Sequence, residues 1–224
     1  MNEKRTGREL LIRYIFLGAG LAIMAFGVAF SIKASLGTSP ISSLPYVVSL
    51  FTPLTVGNLT ILMHIFFILL QIFILGKDYQ WIQLIQLPVA IVFGYLTDLA
   101  VWATSGITCT AYWQQWIVCL AGILLVGIGV SFEVTANVVV LAGEGVVLAV
   151  CRRFKLPFAN MKIAFDVTLV VLSVILSLIF LHSLQGVREG TVAAALCVGL
   201  VARFFNSFFK KINIQKVFSA LSGH

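Results

Sequence analysis

Residues 33–40 read Lys-Ala-Ser-Leu-Gly-Thr-Ser-Pro, and this polar, helix-breaking stretch separates two apolar segments. Before it, the apolar run 10–32 has the length of about 20 residues that a helix needs to cross a bilayer. After it, the segment 39–52 is short and contains Pro40 and Pro45. At a rise of about 1.5 Å per residue, such a segment does not comfortably cross a hydrocarbon core of about 30 Å. The stretch therefore predicts a long membrane helix followed by a short, broken one.

The second half of the chain repeats this arrangement at an offset of 100 residues. Residues 27–31, Gly-Val-Ala-Phe-Ser, align with residues 127–131, Gly-Ile-Gly-Val-Ser. A second short apolar segment, 137–151, follows and carries Glu144 between two glycines. We interpret the two halves as an internal duplication, in which each repeat has a long helix, a short broken segment and two further long helices.

The composition places the whole chain in a membrane. Of its 224 residues, 60% are hydrophobic and only 10% are charged, whereas a soluble domain carries about 25% charged residues. This excludes a soluble domain, a disulfide-stapled secreted protein and a nucleic-acid binder. We predict an all-α, polytopic membrane protein of eight segments, with full-length apolar runs at 10–32, 59–75, 82–103, 116–132, 161–181 and 191–209.

The duplication sets the predicted domain boundaries. A basic N-terminus, 1–9, precedes the first membrane repeat, 10–106. The second repeat, 107–210, precedes a basic tail, 211–224. The two repeats together form a single membrane domain.

The basic residues predict the orientation. They concentrate at the N-terminus, in the loop 152–155 (Arg-Arg-Phe-Lys) and in the tail, and the positive-inside rule puts all three in the cytoplasm. We therefore expect a multi-pass protein of the cell membrane with both termini cytoplasmic. Two layouts satisfy these charges: eight crossings with parallel halves, or six crossings with both short segments re-entrant and the halves inverted. We favour eight, because extended residues such as 34–39 could complete the crossing of a short helix.

The short segments are expected to meet in the protein interior. Irregular backbone is tolerated at membrane depth only where protein or water shelters it. A charge such as Glu144 at that depth costs about 2.5–3.5 kcal/mol, so it needs a partner, a proton or a solute. The turn 33–40 offers N–H groups that an anion can bind, although a plain turn with Pro40 at the first helical position explains it equally well. The predicted substrate-binding residues are Glu144, Lys33, Ser39, Ser42, Gly143 and Gly145.

Two further pairs of polar residues occupy matching positions in the halves. Asp98 and Arg203 have opposite signs, and we expect a salt bridge between them, with a gating role as the alternative. His64 and Asp166 either lock helices together by hydrogen bonding or form a proton relay.

The sequence contains no pattern typical of an enzyme, a metal site or a cofactor site. It has no P-loop, HExxH or GxSxG motif, and its four cysteines occur singly. We therefore expect no catalytic residue, no metal and no cofactor.

Several motifs are similar to one known family. The stretch 27–40, the Leu-Thr-Val-Gly-Asn of 54–58, and in the second half Gly-Glu-Gly at 143–145 and Arg-Glu-Gly-Thr at 188–191 resemble the YczE-type bacterial integral membrane proteins, which look related to the YitT and YyaS groups. The resemblance covers nearly the whole chain. The chain departs from it at Ser42, where the family often has an acidic residue. The resemblance implies a helical membrane architecture, and members are proposed as transporters or as accessory proteins in secondary-metabolite production.

From these observations we predict a secondary transporter or solute-binding permease with a cavity at the bilayer midplane. Its partners would be the lipid bilayer and a small-molecule solute. One alternative is a non-transporting accessory protein whose basic loop, 152–155, contacts a membrane or cytoplasmic protein partner. Another is a substrate-capture subunit of an ATPase-driven importer, because the chain has no nucleotide-binding motif of its own.

Overall fold

The computed structural model describes residues 6–214 and residue 218, so the predicted basic ends, 1–9 and 211–224, lie partly outside the described residues. Within the described part of the chain all regular structure is helical. Two short 3₁₀ turns lie at Gly76–Asp78 and Trp81–Ile85. The α-helices are α1 (Gly7–Ala34), α2 (Pro40–Ser49), α3 (Val56–Leu75), α4 (Gln86–Ala103), α5 (Tyr112–Ala136), α6 (Ala142–Phe154), α7 (Phe158–Leu181) and α8 (Glu189–Lys211).

Six of these helices, all except α2 and α6, are long and apolar enough to cross a membrane. The two short helices have 10 and 13 residues. This confirms the predicted all-helical fold with eight segments and indicates a multi-pass membrane protein.

Helices α1 and α5 pack closely and run antiparallel. A Cβ atom on Gly27 of α1 would lie only 2.8 Å from the carbonyl oxygen of Gly122 in α5, so the two backbones are nearly in contact. Near the start of α1, Arg13 Nη1 donates a hydrogen bond to the carbonyl oxygen of Ala136, the last residue of α5. We call the end of the molecule at which α1 begins and α5 ends the N-side, and the opposite end the far side.

Helix α2 starts in the interior and ends on the far side. The far side holds the end of α1 and the start of α8, because the N–H of Gly190 donates to the carbonyl oxygen of Leu36. At the start of α2, Ile41 packs against Gly143 in the first turn of α6. Just after the end of α2, the ring of Phe51 stacks on that of Phe180, in the turn of α7 that leads to α8. The chain thus returns to the side from which it entered.

Helix α6 likewise starts in the interior and ends on the N-side. At its start, the carbonyl oxygen of Ala142 accepts a hydrogen bond from Gln71 Nε2 of α3. Further along, Ala149 packs in one cluster with Leu75, the last residue of α3, and Tyr79. Since α3 starts on the far side and crosses once, Leu75 lies on the N-side. Helix α6 therefore leaves the interior on the side where α5 ended.

The two layouts compatible with the charges are resolved by these contacts. Both short helices are re-entrant, one from each side, and six helices cross. The second half, α5–α8, consequently has the opposite orientation to the first, α1–α4, with the same order of long and short helices. The preference for eight crossings was wrong, because Thr38, before α2, and Val47, near its end, both contact Gly186 in the loop before α8, so the chain from 35 to 49 does not complete a crossing.

Candidate functional site

A cavity of about 280 Å³ lies where the two short helices begin, and residues from all eight helices line it. Apolar side chains form most of the wall. The polar side chains on the wall come from five helices and the turn before α2: Ser39, Ser42, Thr60, His64, Glu133, Glu144, Lys162 and Asp166.

Two carboxylates mark the side of the cavity formed by α5 and α6. Glu133, near the end of α5, is 2% exposed, and its Oε1 accepts a hydrogen bond of 2.6 Å from the N–H of Leu141. Glu144 lies in the first turn of α6 and is half-buried. The described residues provide Glu144 with no hydrogen bond and no salt bridge, and its carboxylate interacts with Lys162 and Asp166 only through their charges.

An ion pair on α7 borders the same space. Lys162 Nζ lies 2.7 Å from Asp166 Oδ1, one helical turn away. Lys162 is the one cationic side chain among the residues of the wall, against three carboxylates. Lys162 also lies near enough to Glu133 and Glu144 to attract both through its charge, so one cation serves three carboxylates, and neither Glu133 nor Glu144 has a cation of its own.

The first turn of α2 forms a neighbouring part of the wall, next to the first turn of α6, because Ile41 packs on Gly143. Pro40 occupies the first helical position, and Ser39 Oγ donates to Ser42 Oγ at 3.1 Å. No acidic residue lies in this turn, in contrast to the first turn of α6. The two short helices thus present different chemistry, one through hydroxyl groups and the other through carboxylates.

His64 of α3 is 1% exposed and also lines the cavity. Its ring meets those of Phe67 and Phe93 edge to face, with centroid separations of 6.2 and 6.3 Å. Within the described residues its Nδ1 atom is buried and has no hydrogen-bond partner. A buried polar atom without a partner is unfavourable, and because His64 lines the cavity, a molecule bound there is one source of the missing hydrogen bond.

Five of the residues singled out in the sequence lie together on this wall. They are Ser39, Ser42, His64, Glu144 and Asp166. His64 and Asp166 are brought to the same cavity because each lies in the middle part of its helix, but no hydrogen bond between them is present in the described residues. The binding role of Ser39, Ser42 and Glu144 stays a prediction, as does the helix lock or proton relay of His64 and Asp166.

Three other predicted binding residues are placed elsewhere. Lys33 lies in the last turn of α1 and is not part of the cavity wall. Gly143 faces Ile41, and a Cβ atom on Gly145 would lie 2.6 Å from Gln71 Oε1. The glycines around Glu144 therefore permit close helix packing. The predicted place on the cavity wall is wrong for these three residues, and their role in substrate binding stays a prediction.

The predicted salt bridge between Asp98 and Arg203 is also wrong. Asp98 Oδ1 accepts from the N–H of Gly57 at 2.7 Å, and its Oδ2 accepts from Thr55 Oγ1 at 2.6 Å. Arg203 is exposed on α8. Because the repeats are inverted, matching positions near helix ends lie on opposite sides of the molecule. Asp98 is on the far side, and Arg203 lies towards the N-side.

Two residues of the cavity were missed in the sequence. Glu133 aligns with Lys33 in the duplication, so the alignment did contain a signal that a charged residue recurs near the end of the first helix of each half. Lys162 lies four residues before Asp166, the spacing of an ion pair on one helix face.

Comparisons with known proteins identify a family of unknown function. The model of a family of unknown function, DUF6198, matches residues 11–207. An uncharacterized protein of Haemophilus influenzae is 27% identical over 103 residues, which are 46% of this chain and 44% of that protein. The match thus spans less than half the length of this relative. No solved structure matches the chain.

Proposed function

This chain belongs to DUF6198, a family of unknown function, and we propose that it is a secondary transporter whose solute binds in the central cavity. The observation that carries the proposal is the position of the cavity, between the starts of two re-entrant helices from inverted repeats. In many transporters, inverted repeats place the substrate site between interrupted helices near the bilayer midplane. Rocking of one repeat against the other then exposes the site to each side in turn.

The charges in the cavity support a role beyond packing. Insertion of ionisable side chains at membrane depth is unfavourable, and such residues usually mark a path for a solute or a proton. Glu144 is the residue to which this argument applies most directly, because it lines the cavity and forms no hydrogen bond or salt bridge in the described residues. A purely structural carboxylate would be expected to be paired there.

We also propose the orientation and the membrane. The basic loop around Arg152, Arg153 and Lys155 is exposed and lies on the N-side, to which α6 returns. The positive-inside rule then makes the N-side cytoplasmic and puts the protein in the bacterial cytoplasmic membrane with both termini inside.

The resemblance to the YczE-type proteins leads to a proposal about the architecture of those proteins. The residues that carry the resemblance, 33–40 and 143–145, form the starts of the two re-entrant helices. We propose that the YczE-type proteins share the inverted repeats, which a structure of one member would test.

The transport function is tested with purified protein in liposomes on a solid-supported membrane. Currents are recorded on addition of amines, amino acids, carboxylates and sugars. We expect a current for one of these classes, and we expect Glu144→Gln to lower it at least tenfold. Asp78→Asn, which removes an exposed carboxylate outside the cavity, is the matched control and should leave the current unchanged.

The opposite result favours the alternative functions. If no solute class gives a current and an ATPase co-purifies, the chain is a capture subunit of an importer. If no solute changes the current or the melting temperature, an accessory role is favoured and the transporter proposal fails.

A further inference from the structure

We propose that the cavity binds a small organic cation, an amine with a compact apolar body, whose ammonium group lies against Glu144. This inference rests on the proposed transport function and adds the substrate class. It is carried by the charges on the wall, by an unpartnered buried side chain and by the apolar surface between them.

The charged groups on the wall favour a cation. The ionisable groups on the wall are His64 from α3, Glu133 from α5, Glu144 from α6, and Lys162 and Asp166 from α7. Helices α1, α2, α4 and α8 contribute none. Lys162 forms its salt bridge with Asp166 at 2.7 Å and acts on Glu144 only through its charge, and Glu133 accepts from a backbone N–H. Among the described residues, Glu144 is therefore the carboxylate of the wall that has neither a hydrogen bond nor a salt bridge. A ligand cation would supply the missing charge in a medium of low dielectric constant.

The unpartnered nitrogen of His64 is the second, independent observation that supports a bound ammonium group. It is 99% buried, lines the cavity, and its Nδ1 atom has no partner among the described residues. A neutral imidazole nitrogen without a hydrogen accepts hydrogen bonds, and an ammonium group offers up to three N–H donors. The hydroxyl groups of Ser39 and Ser42 can accept the remaining hydrogens.

The rest of the wall suits an organic cation and not a metal ion. In the described residues no group of three His, Cys, Asp or Glu side chains could hold a metal ion, so the carboxylates are too dispersed for one. Met24, Met63 and Phe93 provide soft apolar contacts, and an aromatic ring attracts a nearby ammonium group. The start of α2 packs on the first turn of α6, and its polar groups on the wall are the hydroxyls of Ser39 and Ser42, with no basic side chain that would pair with an anion.

The experiment measures binding to the purified protein in detergent, without transport. The probes are methylammonium, butylammonium and benzylammonium; benzyl alcohol and benzoate have nearly the same shape as the last but are neutral and negative. We expect at least one amine to raise the melting temperature at millimolar concentration, and benzyl alcohol and benzoate to leave it unchanged. Glu144→Gln should weaken amine binding about tenfold or more, and Asp78→Asn should not.

Several outcomes would overturn the inference. These are binding of benzoate, binding of benzyl alcohol as tight as that of benzylammonium, no shift with any amine, or amine binding that is unchanged in Glu144→Gln. If that variant cannot be purified, the wild-type protein still tests the inference, because benzylammonium, benzyl alcohol and benzoate have nearly the same shape and differ in charge. Amine binding without uptake in liposomes would refute the transport function but not the amine-binding site. Uptake of an anion without amine binding would refute the amine-binding site but not the transport function.

Discussion

The backbone N–H of Leu141 donates a hydrogen bond of 2.6 Å to Glu133 Oε1. Leu141 is the residue immediately before α6, and Glu133 lies one turn before the end of α5. The carboxylate therefore occupies the positive end of the re-entrant helix and satisfies one of the N–H groups that a helix start leaves free. This bond fixes the point in the interior at which α6 begins.

Two substitutions of Glu133 should separate the contribution of its hydrogen bond to stability from that of its charge. In Glu133→Gln the side-chain carbonyl oxygen can still accept from Leu141, so we expect a small loss of stability. In Glu133→Ala the buried N–H has no acceptor, and we expect a loss of about 1–3 kcal/mol in the free energy of unfolding. Thermal melting in detergent measures both. Val134→Ala, which shortens an exposed side chain next to Glu133, is the control, and equal melting of the Ala and Gln variants would contradict the role of the bond.

Two glycines of α1 should respond differently to the same substitution. A Cβ atom on Gly27 would lie 2.6 Å from the backbone nitrogen of Val126 and 2.8 Å from the carbonyl oxygen of Gly122, neither of which can move alone. Around Gly18 nothing lies within 4 Å of an added Cβ atom. We expect Gly27→Ala to destabilise the protein by about 1–3 kcal/mol and Gly18→Ala to leave its melting temperature unchanged or slightly higher. Similar melting of both variants would refute the close packing of α1 on α5.

The long helices were readable from the sequence because their apolar runs match the thickness of a bilayer. The run 161–181 became α7, Phe158–Leu181, and the run 116–132 became α5, Tyr112–Ala136. The observed helices extend beyond the runs because polar and aromatic residues such as Gln114 and Trp113 continue a helix where apolar character ends. Hydropathy therefore predicted which segments are helices better than it predicted where they begin.

The direction of the short helices could not be read in the same way. Whether α2 crosses or returns depends on contacts between distant residues, such as those of Ile41 with Gly143 and of Phe51 with Phe180. The duplication alone was compatible with parallel or inverted halves. For the same reason the sequence located Glu144 in the interior but did not indicate that Glu133 and Lys162 lie on the same cavity wall.

Asp98 should act in stabilising the start of α3, independently of Arg203. Its two carboxylate oxygens accept from the N–H of Gly57 and the hydroxyl of Thr55. We expect Asp98→Ala to cost about 1–2 kcal/mol of stability, as for the loss of a helix cap, and Asp98→Asn to cost less because it keeps the bond to Gly57. Melting curves in detergent test this. The matched variant Arg203→Gln should melt like the wild type. A loss of stability as large as that in Asp98→Ala would instead support a salt bridge between Asp98 and Arg203.

The six-crossing topology makes a prediction that the eight-crossing layout reverses. Residues on exposed loops can be replaced one at a time by cysteine and labelled in intact cells with a thiol reagent that does not cross the membrane. Suitable positions are Leu54, before α3; Asp78, between α3 and α4; Ser105, between α4 and α5; and Lys155, in the basic loop. The background is the protein with its four cysteines, Cys109, Cys119, Cys151 and Cys197, changed to alanine.

With six crossings, Leu54→Cys and Ser105→Cys lie on the far side, so both should label from outside. Asp78→Cys and Lys155→Cys lie on the N-side and should label only after the cells are opened. Eight crossings would place Leu54 and Ser105 on the same side as Lys155, and Asp78 on the other. Lys155→Cys is the internal reference because it has the same side in both layouts. Labelling of Asp78→Cys from outside, together with protection of Leu54→Cys, Ser105→Cys and the reference Lys155→Cys, would therefore refute the re-entrant position of α2 and with it the inverted repeats.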